Sequence, residues 1–205
     1  MHLGKEHVIL ASIYGVVGLI LALVARQGKL APIASATFLA ILWLGFVLAI
    51  SFTEAWIKFR APFISRYLAL DVGRVVFAAL NAVEAGLCLG LWLVYWIGTS
   101  ADATQVGRVG ILIALTVIYI IQAAVVHPKL HLRGDFAIYE ELKRLPEDSL
   151  TFHQKMLYTE MQNNVTNHRQ PPVFFHIAYV LAEVSKVVLL VHYSVHFLRQ
   201  LSGTA

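Results

Sequence analysis

Charged residues are scarce in this chain: they make up 14% of its 205 residues, whereas an ordinary soluble domain carries about 25%. Hydrophobic residues make up 59%. So few charges cannot form a water-soluble shell around so much apolar surface. The composition therefore excludes an ordinary soluble domain and favours a chain that lies largely within a membrane.

Cysteine is also nearly absent. Cys88 is the only one and lies within an apolar run, so the chain forms no internal disulfide and no thiolate zinc cluster. It has no Gly-rich phosphate loop, no Gly-x-Ser-x-Gly elbow and no Cys-x-x-Cys pair. The sequence therefore lacks the common catalytic motifs of soluble enzymes. The first apolar run lacks an Ala-x-Ala-like cleavage site, so we expect it to remain as a membrane helix.

Long apolar runs are what the sequence does contain. Crossing a hydrocarbon layer of about 30 Å takes about 20 helical residues. Five runs meet this length and predict transmembrane helices at 7–25, 33–57, 73–97, 106–127 and 172–197. The predicted fold class is therefore all-α, a single polytopic membrane helix bundle over 1–205.

The segments between these runs carry most of the polar residues. Residues 61–72 mix apolar and charged side chains, which is typical of a connector on the membrane surface. Residues 98–105 predict a polar turn. The fourth span is predicted to end at His127, because Pro128 lacks the amide hydrogen that continues a helix. Residues 128–171 have ordinary amphipathic polarity and predict short surface helices on either side of Pro146.

The distribution of positive charge predicts an orientation. If all five runs cross, eleven lysines and arginines lie on one side and four on the other, with Lys186 inside a span. The positive-inside rule then places the N-terminus and the 128–171 segment in the cytoplasm and the C-terminus on the opposite side. Because the cations act as topology signals, the net charge of +4 gives no reason to expect a nucleic-acid partner.

A few ionisable residues lie inside the predicted spans, where they are costly and usually face a partner or a water-filled path. Tyr179, Glu183 and Lys186 follow helical spacing along one face, starting from His176. Glu84 lies at a similar depth in the third span, so lateral contact is expected. The predicted intramembrane polar stripe consists of Asn81, Glu84, His176, Tyr179, Glu183 and Lys186. Its simplest role is to join helices by hydrogen bonds and a charge pair, and its alternative role is a substrate or proton path.

Several histidines form a second pattern on the predicted cytoplasmic side. Imidazoles beside carboxylates are ligands for zinc or iron. A metal site built from this group would use His127, His131, His168, His176 and Glu54. Because Pro128 separates the first two histidines, their rings need not share a helical face. Interfacial histidines without metal are the alternative.

Some sequence features resemble a known family. They are Trp43-Leu-Gly45 in an early span, His127-Pro-Lys129 at the end of a span, the polar helical segment after it, and the histidine-containing entry to the last span from His168 to His176. In this order they resemble the transmembrane protein 205-like family of small four-helix membrane proteins. The resemblance implies a multipass membrane protein linked to secretory-pathway traffic and drug tolerance, without an established chemical reaction or catalytic residues to carry over. This chain has an additional N-terminal helix.

We expect a non-enzymatic multipass membrane protein, either an accessory subunit of a larger assembly or a small transporter-like protein. Its partners would be membrane lipids together with other membrane subunits or further copies of itself, which could pack against the glycines Gly15, Gly18, Gly86 and Gly90. One alternative is a metal-dependent membrane enzyme that acts on a lipid-like substrate. The other is proton- or ion-coupled transport through Glu84, Glu183 and Lys186. Bound lipids are expected, and a metal ion is the one cofactor that the histidines suggest.

Overall fold

The computed structural model describes residues 4–98 and 106–201, and all regular structure in these ranges is helical. Five continuous helical stretches are long and apolar enough to cross a membrane: Lys5–Arg26, Pro32–Arg60, Arg66–Ile97, Val109–Lys143 and Phe174–His196. The predicted all-α helix bundle is confirmed, and it fits a multipass membrane protein. The predicted turn at 98–105 lies outside the described residues except for Gly98.

The helices have the following bounds. They are α1 (Lys5–Arg26), α2 (Pro32–Val47), α3 (Ala55–Ile57), α4 (Arg66–Leu93), α5 (Val106–Ile121), α6 (His127–Lys143), α7 (Phe152–Asn167) and α8 (Phe174–Leu201). Wider π-helical turns continue α2, α4 and α5 over Leu48–Glu54, Val94–Gly98 and Gln122–Val126, and 3₁₀ turns cover Lys58–Arg60 and Glu147–Ser149. π turns are frequent at functional sites. Gln122, in the turn after α5, donates a hydrogen bond to Glu183 of α8.

The connection from α1 to α2 is short because of two residues. Gly28 has a φ of +71°, a left-handed conformation that glycine adopts without steric cost and that ends a helix. Pro32 occupies the first turn of α2, where its fixed φ suits the helix and its missing amide hydrogen is not needed. The two helices therefore run antiparallel.

Glycines bring α1 and α4 to backbone contact. A Cβ atom on Gly18 would lie 2.2 Å from the Cα of Gly90, and one on Gly86 would lie 2.4 Å from the carbonyl oxygen of Ala11. No side chain fits at such distances. Gly15 is also buried, in α1. These glycines, which the sequence suggested as docking points for partner helices, are thus occupied within the bundle.

The structure corrects the expected connector at 61–72, because α4 begins at Arg66. The polar residues of this stretch face other parts of the chain. Arg74 donates to Asp71 at 2.5 Å and also bonds Asp135 of α6. Paired in this way, the charged residues are compatible with an unbroken helix.

The structure also corrects the expected helix end at His127. The helical path runs from α5 through the π turn at Gln122–Val126 into α6, which has Pro128 in its first turn. Pro128 cannot donate one helical hydrogen bond, and it directly follows the π turn, whose last bond runs from the amide of His127 to the carbonyl of Gln122. The continuous helix extends to Lys143.

α6 and α7 pack together at the start of α4 around the buried side chains of Ile138, Leu142 and Met161. Thr151 caps α7 by a reciprocal bond pair with Gln154. The start of α1 lies at the same end of the bundle, because His7 and residues of the π turn before α6 line one groove. We call this end, which also holds Lys58–Arg60, the α6–α7 end.

Candidate functional site

Three ionisable side chains meet in the interior of the bundle. Lys186 of α8 donates from Nζ to Glu84 Oε1 of α4 and, at 3.1 Å, to Glu183 Oε1 one turn earlier in α8. Glu84 and Lys186 are 0% exposed and Glu183 is 1% exposed. The predicted contact between the third and last spans is therefore present. We call Glu84, Glu183 and Lys186 the charge cluster.

Two further helices hold the charge cluster. The indole Nε1 of Trp43 in α2 donates to Glu84 Oε1 at 2.8 Å. The amide Nε2 of Gln122, in the π turn after α5, donates to Glu183 Oε1. Each carboxylate thus accepts one hydrogen bond from a neutral donor besides its bond from Lys186. Four helical stretches converge on the site.

The cluster lies deep within the bundle. Lys186 is 12 residues from the start of α8, which corresponds to about 18 Å along the helix axis, and about 15 Å separates it from His196. In a hydrocarbon layer of about 30 Å this position is central. Ionised groups at such a depth are costly unless they are paired.

The charges of the cluster do not balance. Two carboxylates face one ammonium group, so with all three ionised the cluster carries one net negative charge. Glu84 Oε2 and Glu183 Oε2 have no hydrogen-bond partner among the described residues, and neither does Gln122 Oε1. Buried polar atoms are nearly always paired. Binding one proton or one small cation would make the cluster neutral.

Tyr179 and His176, the other predicted members of the stripe on α8, lie nearer the α6–α7 end. The ring of Tyr179 packs edge-on against Phe77 with centroids 5.4 Å apart, and its hydroxyl lies near Ser51 and Glu183. Both residues line a cavity of about 280 Å³, which is also lined by Lys58, Phe59, Arg74, His127, His131 and Arg133. The cavity therefore extends from the α6–α7 end to within one helical turn of the charge cluster.

Asn81 lies apart from the other predicted stripe residues. Its side-chain amide has no hydrogen-bond partner among the described residues, and it lines a different groove, between α1, α4 and α5. Its backbone carbonyl accepts a bond from Tyr119 at 3.2 Å. The structure thus divides the predicted stripe into a cluster, a cavity wall and a groove residue.

The histidines proposed as metal ligands are spread over this end of the molecule. The rings of His127 and His131 have centroids 6.3 Å apart, and both line the cavity with His176. His168 contacts the carbonyl of Asn164 at 3.0 Å, and Glu54 pairs with a lysine one turn later. In residues 4–98 and 106–201 no three His, Cys, Asp or Glu side chains form a group that could hold a metal ion. Metal binding stays a prediction.

Trp43 and Gln122 are the site residues that sequence reasoning missed. Trp43 is fully buried in mid-helix, whereas membrane tryptophans usually lie at the interfaces. A buried indole needs an acceptor for its N–H group, so its position was a usable signal. Gln122 is a polar residue late in an apolar run, which is a weaker signal of the same kind as Glu84.

Comparison with known proteins adds no relatives: no family model, no curated protein and no solved structure matches this chain. The resemblance to the transmembrane protein 205-like family stays a prediction.

Proposed function

We propose that this protein is a small, non-enzymatic, transporter-like membrane protein whose working site is the charge cluster. The observation that carries the proposal is the unequal charge count at full burial: one ammonium group faces two carboxylates. The bound species would be one proton or one small cation. Its uptake and release would switch the interior of the bundle between a neutral and a charged state.

A cluster that served only to join helices would need fewer groups. Lys186 already pairs across helices with Glu84, which is enough to hold α4 against α8. Glu183 adds a second carboxylate on the same helix as the lysine, and one oxygen of each acid has no hydrogen-bond partner among the described residues. Such unused hydrogen-bonding capacity favours a site that exchanges a proton over a purely structural contact.

The cavity supports access from one side. It reaches Tyr179, one turn from Glu183, and opens among basic and histidine side chains at the α6–α7 end. We propose that this end faces the cytoplasm, because most lysines and arginines lie there. A proton would then enter from the cytoplasmic side, through a cavity lined by His127, His131 and His176.

An accessory subunit is less well supported. The glycines that suggested a partner helix lie at the contact between α1 and α4. They therefore no longer argue for a partner protein. The resemblance to a family without an established reaction is compatible with both roles. Purification in mild detergent separates them, since a constant stoichiometric partner would favour the subunit role.

Proton movement in proteoliposomes tests the proposal. With a pH-sensitive dye inside and an imposed membrane potential, we expect proton uptake above that of empty vesicles. Glu84→Gln should remove this uptake because the cluster then holds one carboxylate and one ammonium group. Glu141→Gln is the matched control, because the ion pairs of Glu141 are long, at 3.8 Å and 3.7 Å, and are made with the exposed residues Arg66 and Arg144. Equal uptake by the Glu84→Gln variant and the wild type would contradict the proposal.

A further inference from the structure

A groove separate from the charge cluster runs along the outer surface of α4, between α1 and α5. Its volume is about 840 Å³, within the roughly 300–1,000 Å³ of small-molecule sites. On α4 it extends from Ala78 to Leu93, a length of about 22 Å. Small residues of α4 form much of its floor, among them Ala82 and Ala85. The groove is therefore long enough for an extended lipid molecule.

The two ends of this groove differ in polarity. At the α6–α7 end it is lined by His7, Ser12 and Asn81, and at the other end by Leu19 and Leu93. The ring nitrogen Nδ1 of His7 has no hydrogen-bond partner among the described residues. An amphiphile with its polar head at the α6–α7 end would match this gradient.

Asn81 is the observation that points to a ligand. It is 6% exposed, and neither Oδ1 nor Nδ2 of its amide has a partner within the described part of the chain. Its backbone carbonyl is bonded by Tyr119, so only the side chain is left unpaired. A buried amide without a partner costs free energy. A hydroxyl group is both donor and acceptor and can satisfy either amide atom.

Charge at the groove indicates the kind of head group. None of the described residues that line it is Asp, Glu, Lys or Arg. Phosphate head groups are bound by basic residues between membrane helices, so a phospholipid head has no counter-charge here. A neutral head group with one hydroxyl matches the donors and acceptors that are present.

We propose that this groove binds one neutral lipid alcohol, with its apolar body along α4 and its hydroxyl group on the Asn81 amide. The shared chemistry is an extended hydrocarbon with a single terminal hydroxyl, which both sterols and isoprenoid alcohols possess. No residue of the charge cluster lines the groove. The lipid site and the proposed function can therefore be tested independently.

Native mass spectrometry of the detergent-solubilised protein tests the site with two matched pairs of probes. The pairs are cholesterol with its hydrocarbon cholestane, and phytol with its hydrocarbon phytane. We expect one molecule of at least one alcohol to bind about tenfold more tightly than its hydrocarbon, because the hydrocarbon leaves the amide unpaired. The proposal is overturned if neither alcohol binds better than its hydrocarbon.

Variants locate the site. Asn81→Leu replaces the amide with an apolar side chain of similar size and should abolish the preference for the alcohol. Ala123→Phe projects a ring into the groove from the π turn and should block binding, while Ala49→Phe, on a different exposed face, should leave it unchanged. Glu84→Gln should also bind normally. Unchanged binding in both Asn81→Leu and Ala123→Phe would overturn the proposal, as would cross-linking of position 123 to another polypeptide.

Discussion

The indole of Trp43 donates its only hydrogen bond to a carboxylate in a region of low polarity. Bonds to charged acceptors are stronger than bonds between neutral groups. Without this donor, Glu84 Oε1 would accept a hydrogen bond from Lys186 alone. Glu84 Oε2 already has no hydrogen-bond partner among the described residues. Trp43 is therefore a support of the charge cluster and not merely a core side chain.

We predict that Trp43→Phe lowers the free energy of unfolding by about 2–3 kcal/mol, because a buried bond to a charged group is lost. Trp56→Phe is the matched control: its indole donates to the carbonyl of Phe52 and the residue is 54% exposed. The control should cost less than about 1 kcal/mol. Denaturation by SDS in mixed micelles measures both, and equal losses would count against the assigned role of Trp43.

The charged members of the site were predictable from the sequence, whereas their neutral partners were not. Glu84, Glu183 and Lys186 stand out because ionisable groups in apolar runs are costly. The uncharged side chain of Gln122 is less costly to place in a membrane than a charged one, so its position is a weaker indication of a functional site. The spacing of Asn81 and Glu84, one turn apart in α4, predicts a common face, yet the Asn81 side chain lies in the groove beside α1 and α5. The positions of those two helices, and not the spacing within α4, decide this.

Among the helices, the pair α1 and α4 depends most strictly on residue size. We predict that Gly18→Ala lowers the free energy of unfolding by about 1–3 kcal/mol. The added Cβ would meet the backbone of Gly90 and push the two helices apart. Gly45→Ala is the control within α2, where nothing lies within 4 Å of the added Cβ. It should gain about 0.5–1 kcal/mol from helix propensity. A similar gain in Gly18→Ala would show that the close approach is absent.

The attachment of α6 and α7 to α4 depends on one arginine. Arg74 bonds Asp135, whose side chain is 3% exposed, and Asn164 of α7 donates to the same carboxylate at 2.8 Å. A buried carboxylate that loses its cation is costly. These contacts hold Asp71 and Arg74 against α6 and α7 in the first part of α4, which begins at Arg66 and not at the predicted residue 73.

We predict that Arg74→Met destabilises the protein by about 3–5 kcal/mol and accelerates amide hydrogen exchange in α6 and α7. Arg66→Met removes a pair with 3.8 Å between its atoms and a side chain that is 71% exposed, so it should cost about 0–1 kcal/mol. Hydrogen exchange by mass spectrometry measures both variants. Unaltered exchange of α6 and α7 in Arg74→Met would show that other contacts hold them.

Local sequence rules failed where packing overrides them. Pro128 predicted a helix end, because the rule for proline concerns the amide hydrogen that it lacks. The π turn before it changes the hydrogen-bond pattern at this point. A π turn is not visible in the run of residues around the proline.

For the molecule as a whole, length and hydropathy were sufficient to predict five helices that are long and apolar enough to cross a membrane. The relative rotation of the helices was not predictable from them. That rotation brings Glu84 and Glu183 to the ammonium group of Lys186, places Trp43 and Gln122 against the two carboxylates, and leaves Asn81 in a separate groove. The proposed function depends on this arrangement and not on the apolar composition.

The most direct test of the central claim is infrared spectroscopy of the protein reconstituted in lipid. If the charge cluster holds one exchangeable proton, wild-type protein at neutral pH should show a C=O stretch from a protonated carboxylic acid that shifts in heavy water. The band should be absent from both Glu84→Gln and Glu183→Gln, and present in the Glu141→Gln control. Absence of the band from the wild type, or its persistence in both cluster variants, would contradict the account.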